Sequence, residues 1–476
     1  MAGAGGRPGR AIRNHRKEGS VHMKDFVKVR GTEFVKAGRP VLFRGLGIGS
    51  WLNLEHFMVG LPTPDNQLRK AVASVFGEET ARRFFDAFIR SFVTEQDFSF
   101  LKSLGVNVVR VPFNYRLFID DNAPGAYKPE GFAYLDSLMD LCEKYRIYLL
   151  PDLHTVPGGQ NPDWHSDNNS GIPQFWHYKV FRDQIVGLWG HIAEHWKDRE
   201  YLLGYDLLNE PYLMDAPALL PEFYQEVTQA IRCVDQNHII FLEGDNFAMR
   251  FDCIGEITDP NTALSFHYYP TVWEPELFGK AYDKAGRQEK FREILEKIAS
   301  VREDLHRPVL CGEAGYDIDP NDVAHSMELL EETLSLFNDR EISWTLWCYK
   351  DARFMGLAYP KSGSPWMRLA ERARKRWDHY KERQQAYQMI GHIGEYPEFS
   401  LASEALKEAM RFRQQAILYR FQRECILEPL LREYSKEELL ELPKSFLLEN
   451  CQFYPEYAAL LQRMTAGILS EPIQSI

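Results

Sequence analysis

Leu202-Leu203-Gly204-Tyr205-Asp206-Leu207-Leu208-Asn209-Glu210-Pro211 and Pro308-Val309-Leu310-Cys311-Gly312-Glu313-Ala314-Gly315 share one design: a short apolar run that stops at a glutamate. Such a run, bounded by turn residues, fits a strand buried on both faces, as in a parallel sheet. Six further runs have the same form, at residues 41–48, 106–113, 147–154, 238–244, 262–269 and 342–350. With 202–209 and 308–315 they make eight predicted strands. Segments 132–145, 180–196, 219–235, 288–304, 323–339 and 366–377 lie between or after them. Their apolar residues recur at helical spacing, which predicts amphipathic helices.

Strands alternating with helices build either a closed parallel barrel or an open doubly wound sheet. The polar residues separate the two. Arg110, His154, Asn209 with Glu210, His267 with Tyr269, Glu313 and Trp347 all stand at the C-terminal edge of a predicted strand. A (β/α)8 TIM barrel gathers those edges at one mouth, where its chemistry sits, and an open sheet does not. Neither the GxGxxG fingerprint nor a P-loop is present, which weakens the dinucleotide- and nucleotide-binding alternatives further. The expected organisation is a flexible Gly-, Arg- and Lys-rich segment at 1–24, a barrel at 25–377 floored by a hairpin at 26–36, and a helical extension at 378–476. Within the extension the runs 402–424, 436–447 and 454–464 read as helices, available to cover the mouth or to pair subunits in a homo-oligomer.

Composition narrows the partner. Lys and Arg number 56 against 68 Asp and Glu, a net charge of −12, which disfavours nucleic acid and anionic membrane surfaces. A neutral ligand fits better, and an aromatic content of 13% allows ring faces for the apolar faces of a sugar. The seven cysteines are scattered without C-x-x-C spacing, so neither a disulfide framework nor a zinc site is signalled, and no metal or cofactor is expected. No apolar run follows the basic start and none reaches membrane-spanning length, so the expected location is cytoplasmic.

Glu210 and Glu313 close the fourth and seventh predicted strands, and a barrel sets those ends across one mouth. Glycosidic cleavage needs such a pair: one carboxyl protonates the leaving oxygen while the other attacks carbon or activates water. The plainer alternatives are ordinary barrel-edge carboxylates or ligands of a cation such as magnesium. The histidines, taken singly, read as satisfied buried imidazoles. Trp347 on the eighth strand would floor the site, while Trp344, three residues earlier, faces the other side into the core.

The chain from about 27 to 377 resembles glycoside hydrolase family 5. The likeness is carried by Val108-Val109-Arg110-Val111-Pro112, Asp152-Leu153-His154, Asn209-Glu210, Phe266-His267-Tyr268-Tyr269, Glu313 and Trp347. It implies Glu210 as general acid/base, with a raised pKa, and Glu313 as nucleophile, with Arg110 and Tyr269 beside it. It further implies Asn209 on the sugar's 2-hydroxyl, and His154 and His267 orienting hydroxyls and supporting the glutamates.

Two loops resemble the exo-acting β-1,3-glucanases of that family. Gly49-Ser50-Trp51-Leu52-Asn53-Leu54-Glu55 would bring Glu55 to the terminal sugar, and His154-Thr155-Val156-Pro157-Gly158-Gly159-Gln160-Asn161 would bring Gln160 and Asn161. Departures from that branch are an insertion at 162–166, a long stretch at 58–98, and the helical extension. The resemblance implies a retaining β-glycoside hydrolase removing single sugars from β-glucosides or β-glucan oligosaccharides. The alternatives are an exo-β-mannosidase, a glycolipid β-glucosidase with its apolar aglycone on Phe57-Met58-Val59-Gly60-Leu61, and a non-catalytic carbohydrate-binding barrel.

Overall fold

The structure, a computed structural model, describes residues 24–213, 216–278, 282–377, 388, 393 and 395–467. The segment expected to be loose at 1–24 lies outside it except for Lys24, as do parts of the expected extension. Eight parallel strands close into a barrel: β1 Arg44–Gly47, β2 Val108–Asn114, β3 Tyr148–Thr155, β4 Gly204–Asp206, β5 Ile239–Glu243, β6 Thr262–Tyr268, β7 Val309–Ala314 and β8 Ser343–Leu346. Neighbours in sequence are neighbours in the ring, and β8 returns to β1 with Trp344 opposite Arg44. Every strand residue of β2 and β3 is buried, which is why those runs read as apolar without alternation. Among the described residues no helix is long and apolar enough to cross a membrane.

The floor is built as expected from the 26–36 segment, with one strand more. Lys28–Arg30, Glu33–Lys36 and Arg39–Pro40 form an antiparallel meander. Phe34 packs on Phe43 and Phe241, sealing the N-terminal end of the barrel with an apolar plug.

Helices surround the ring where their spacing predicts them. Lys179–Trp196 turns Ile185, Leu188, Trp189, Ile192 and Trp196 inward, one face of a regular helix. Between β1 and β2 the inserted stretch folds into Asp65–Phe76, Glu78–Phe92 and Glu95–Ser103. Gly77, with φ of 85°, makes the corner between the first two, a conformation glycine adopts without steric cost.

The C-terminal residues are integral to this core. Pro455–Thr465 lies between Val323–Asp339 and the end of Glu95–Ser103, the ring position an eighth barrel helix would fill. Asn338 Nδ2 donates to the Met464 carbonyl at 3.2 Å and Thr465 Oγ1 to that of Leu104 at 2.8 Å. Pro365–Trp377 packs instead on the tail segment around Phe446, where Trp366, Phe88 and Phe92 meet that ring. A short antiparallel pair, Ala358–Pro360 with Cys451–Phe453, stitches the same region to the barrel. The described residues beyond 377 thus share one apolar core with the barrel.

Candidate active site

Arg110, in the middle of β2, is fully buried and organises the mouth. Its guanidinium donates from Nε to Asp206 Oδ2 at 2.8 Å and from Nη1 to Glu313 Oε1 at 2.7 Å. Its Nη2 meets Glu243 Oε1 and Asn209 Oδ1 at 2.9 Å each, and Asp152 Oδ2 at 3.2 Å. One planar cation thus ties β2 to β3, β4, β5 and β7. A buried carboxylate cluster of this kind is tolerable only because a charge with several donors sits among its members. Burial, aided by Glu243 and opposed by Arg110, pushes the Asp206 carboxyl well above the usual range. Asp152, Asp206 and Glu243 present oxygens close enough to hold a cation, and the Arg110 guanidinium already occupies that role.

Glu313 ends β7 with both carboxylate oxygens engaged: Oε1 by Arg110, and Oε2 by the Tyr269 hydroxyl at 2.8 Å. A register shift between Phe266 and His267 sets His267 opposite Glu313, the re-aiming of a side chain that bulges provide at barrel rims. Gly312 leaves room beside them, since a Cβ there would stand 2.5 Å from Ser265 Oγ and oblige that hydroxyl to shift.

Glu210 lies across the mouth on a backbone with φ of 48°, a region L-residues seldom adopt. Its N–H donates to Glu243 Oε2 at 2.7 Å, which holds that turn. Its Oε1 meets His267 Nδ1 at 2.7 Å and its Oε2 meets His165 Nε2 at 2.8 Å. Carboxylate oxygens of Glu210 and Glu313 come within 4.8 Å of one another. The raised pKa expected for Glu210 is not found. Burial works in that direction, but the charges and hydrogen bonds of His165 and His267 outweigh it and hold the carboxyl well below the usual range. His267 is itself driven up: burial opposes its charge, but Glu313, Glu243 and Glu210 all favour it.

The remaining residues singled out in the sequence divide by what they touch. His154 Nδ1 meets Asp152 Oδ2 at 2.7 Å, its Nε2 faces Glu55 Oε1 at 3.4 Å, and its ring lies parallel to Trp347 at 5.9 Å. Against the pull of burial, Asp152 and Glu55 push this imidazole up to about 10. Glu55 is buried beside it, with its own carboxyl raised by that burial. Trp347 lies against Gly47 and Gly49, where a Cβ would come within 2.7 and 2.4 Å of the indole. Asn209 gives its oxygen to Arg110, and its buried Nδ2 has no partner among the described residues, so a donor remains for a sugar hydroxyl.

Gln160 and Asn161 serve the backbone. Gln160 Nε2 bridges the carbonyls of His154 and Asn209 at 2.8 Å each, and Asn161 Nδ2 donates to the Glu210 carbonyl at 3.0 Å. Met58, Val59 and Leu61 are buried, so these three side chains pack inward and do not face an aglycone.

Four site residues escaped the sequence reading: Asp152, Asp206, Glu243 and His165. Glu243 carried the signal used for Glu313, a carboxylate closing an apolar run. Asp206 and Asp152 were charges inside buried strands, a placement that itself asks for a partner. His165 sits in the 162–166 insertion, where no periodicity points to it.

Residues 68–353 match the family model described as Cellulase (glycosyl hydrolase family 5). A protein named beta-xylosidase from Phanerodontia chrysosporium is 36% identical over 461 residues, 90% of this chain and 95% of that protein. A glucan 1,3-beta-glucosidase from Candida oleophila is 31% identical over 209 residues, 40% of this chain and 47% of that protein. The solved structure of an endogalactoceramidase superposes with a TM-score of 0.51 at 18% identity, covering 68% of this chain and 75% of that one, a likeness of fold.

Proposed function

This chain belongs to glycoside hydrolase family 5, and from that premise we propose that it is a retaining, exo-acting β-glycosidase that removes terminal sugars from β-xylosides. The observation that carries the mechanism is the asymmetric carboxylate pair. Glu313 is fixed by Arg110 and Tyr269, so that an oxygen can attack the anomeric carbon as the leaving group departs. Glu210 is bracketed by imidazoles that manage its proton, as required of a group that protonates the leaving oxygen and then activates water. Oxygens within 4.8 Å of each other suit direct attack, whereas an inverting pair stands about 6.5 Å or more apart to admit water.

Exo action is supported by Glu55, a buried carboxyl beside His154 and the Trp347 floor, the chemistry that gripping the hydroxyls of a chain end needs. The sugar assignment rests on the relative named beta-xylosidase, a match that spans 90% of this chain and 95% of that protein. β-Glucosides form a second reading, favoured by the first and third mouth loops and by the shorter match to a glucan 1,3-beta-glucosidase. Release of nitrophenol from β-xyloside, β-glucoside and β-mannoside, with product anomers followed by NMR, tests both. Xyloside preference with retention is expected. Inverted product would remove the double-displacement reading, and inactivity on all three would remove the activity itself.

A further inference from the structure

His165 stands on the short turn Trp164–Ser166, which is built to hold one ring in one place. Asp163 caps the turn, Ser166 Oγ donates to the Asn161 carbonyl at 3.0 Å, and Asn53 Nδ2 donates to the His165 carbonyl at 3.0 Å. Trp164, Phe247 and His154 pack around the imidazole. That cage directs Nε2 at two groups of opposite character. One is Glu210 Oε2 at 2.8 Å, and the other is Asn161 Nδ2, also at 2.8 Å. The orientation of the Asn161 amide is fixed independently, because Nδ2 donates to the Glu210 carbonyl and the oxygen accepts from the Asp163 N–H.

A ring nitrogen between an acceptor and a donor is satisfied in both protonation states. Carrying a proton, Nε2 pairs as a cation with Glu210 Oε2 at 2.8 Å; without one, its lone pair accepts from Asn161. His267, on the other oxygen of Glu210, lacks this freedom, since Glu243 at 3.2 Å and Glu313 at 3.7 Å also claim its charge. The charged or titratable groups around His165 are Glu210, Asp163 and His154, with Glu55 more distant. Of these groups, Glu210 alone among the described residues comes within bonding distance of its Nε2.

We propose that His165 is a positioning residue that stores the proton Glu210 delivers, with Asn161 stabilising the ring once that proton has left. This rests on the reading of Glu210 as acid/base. In the first step the Nε2–H bond breaks and a proton joins Glu210 Oε2. That O–H then breaks as the glycosidic oxygen takes the proton, the bond from that oxygen to the anomeric carbon opens, and Glu313 bonds to the carbon. In the second step water attacks, its proton passes to Glu210 and back to His165, and Glu313 leaves as carboxylate. The insertion that departs from the resembled loop therefore equips the acid/base with its proton.

The test compares His165→Gln with wild type on 2,4-dinitrophenyl and on alkyl glycosides across pH. Alkyl aglycones need protonation and dinitrophenolate does not, so the variant should lose about ten-fold or more in kcat/KM on the first beyond its loss on the second. The basic limb of kcat/KM should move to lower pH, because the carboxyl alone then holds the proton. Equal losses on both substrates with an unmoved basic limb would reduce His165 to a structural role and overturn the proposal. Should the variant not fold, ¹⁵N shifts of the wild-type ring decide: Nε2 is expected to lose its proton at the midpoint of the basic limb, and titration elsewhere overturns it. A wild type inactive on both glycosides would remove the underlying acid/base reading instead.

Discussion

Lys350, just beyond the last barrel strand, donates to Asp97 Oδ1 at 2.6 Å with neither side chain exposed to solvent. The same ammonium reaches the carbonyls of Phe92 at 2.7 Å and Phe446 at 2.9 Å, and the Tyr349 hydroxyl donates to the same Asp97 oxygen. One cation thereby joins the first-loop insertion, the barrel and the tail. Lys350→Met should cost about 3–5 kcal/mol in urea unfolding, since it strands a buried carboxylate, and adding Asp97→Leu should recover much of that loss. A single-variant loss near zero would mean that the pair is not desolvated.

Arg110→Lys retains the charge but not the fork that spans four strands. The expected outcome is a folded protein whose kcat falls by on the order of 10²-fold, the usual cost of misplacing a reacting group by about an ångström. Steady-state kinetics with KM measured separately checks it, and near-normal kcat would show that Glu313 needs charge alone.

His154 yields a pH-dependent stability. Its folded value of about 10 lies above the ordinary 6.5, so the stabilisation is complete below 6.5 and is lost as pH rises toward 10. The stability difference between wild type and His154→Gln should therefore be largest near pH 6 and shrink toward pH 10. Chemical denaturation at several pH values measures it, and a constant difference contradicts the ion pair with Asp152.

Gly49→Ala would drive a methyl group into the indole of Trp347. The expected result is a folded variant with a shifted tryptophan emission and at least about ten-fold lower kcat/KM, because the floor moves while the carboxylate pair stays. Unchanged kinetics would remove Trp347 from the sugar site.

The barrel was legible because its strands are buried on both faces and write themselves as apolar runs, most of them closing at the C-terminal edge in a group that the mouth uses. Asn209, Glu210, His267, Tyr269 and Glu313 converge as that edge pattern implies, while Arg110, expected at an edge, reaches them from within its strand. The charge balance behind them was not legible. Asp152, Asp206 and Glu243 come from three neighbouring strands and share one guanidinium, and nothing local in any one strand announces the others. The protonation of Glu210 was misjudged for the same reason: burial is foreseeable from position, while an imidazole arriving on an irregular insertion is not. The tail read as appended because helical periodicity reveals a face to be buried and not the surface that buries it.

Arg44 opens the first barrel strand, and its guanidinium donates to the carbonyl of Met464 at 2.7 Å, 420 positions later. During synthesis the ring of helices stays one member short until Pro455–Thr465 has left the ribosome, with an apolar trough open between Glu95–Ser103 and Val323–Asp339. Contacts so distant in sequence form late and slowly. The nascent chain therefore carries a gap in its wall from the making of Val323–Asp339 until Pro455–Thr465 is added to shut it.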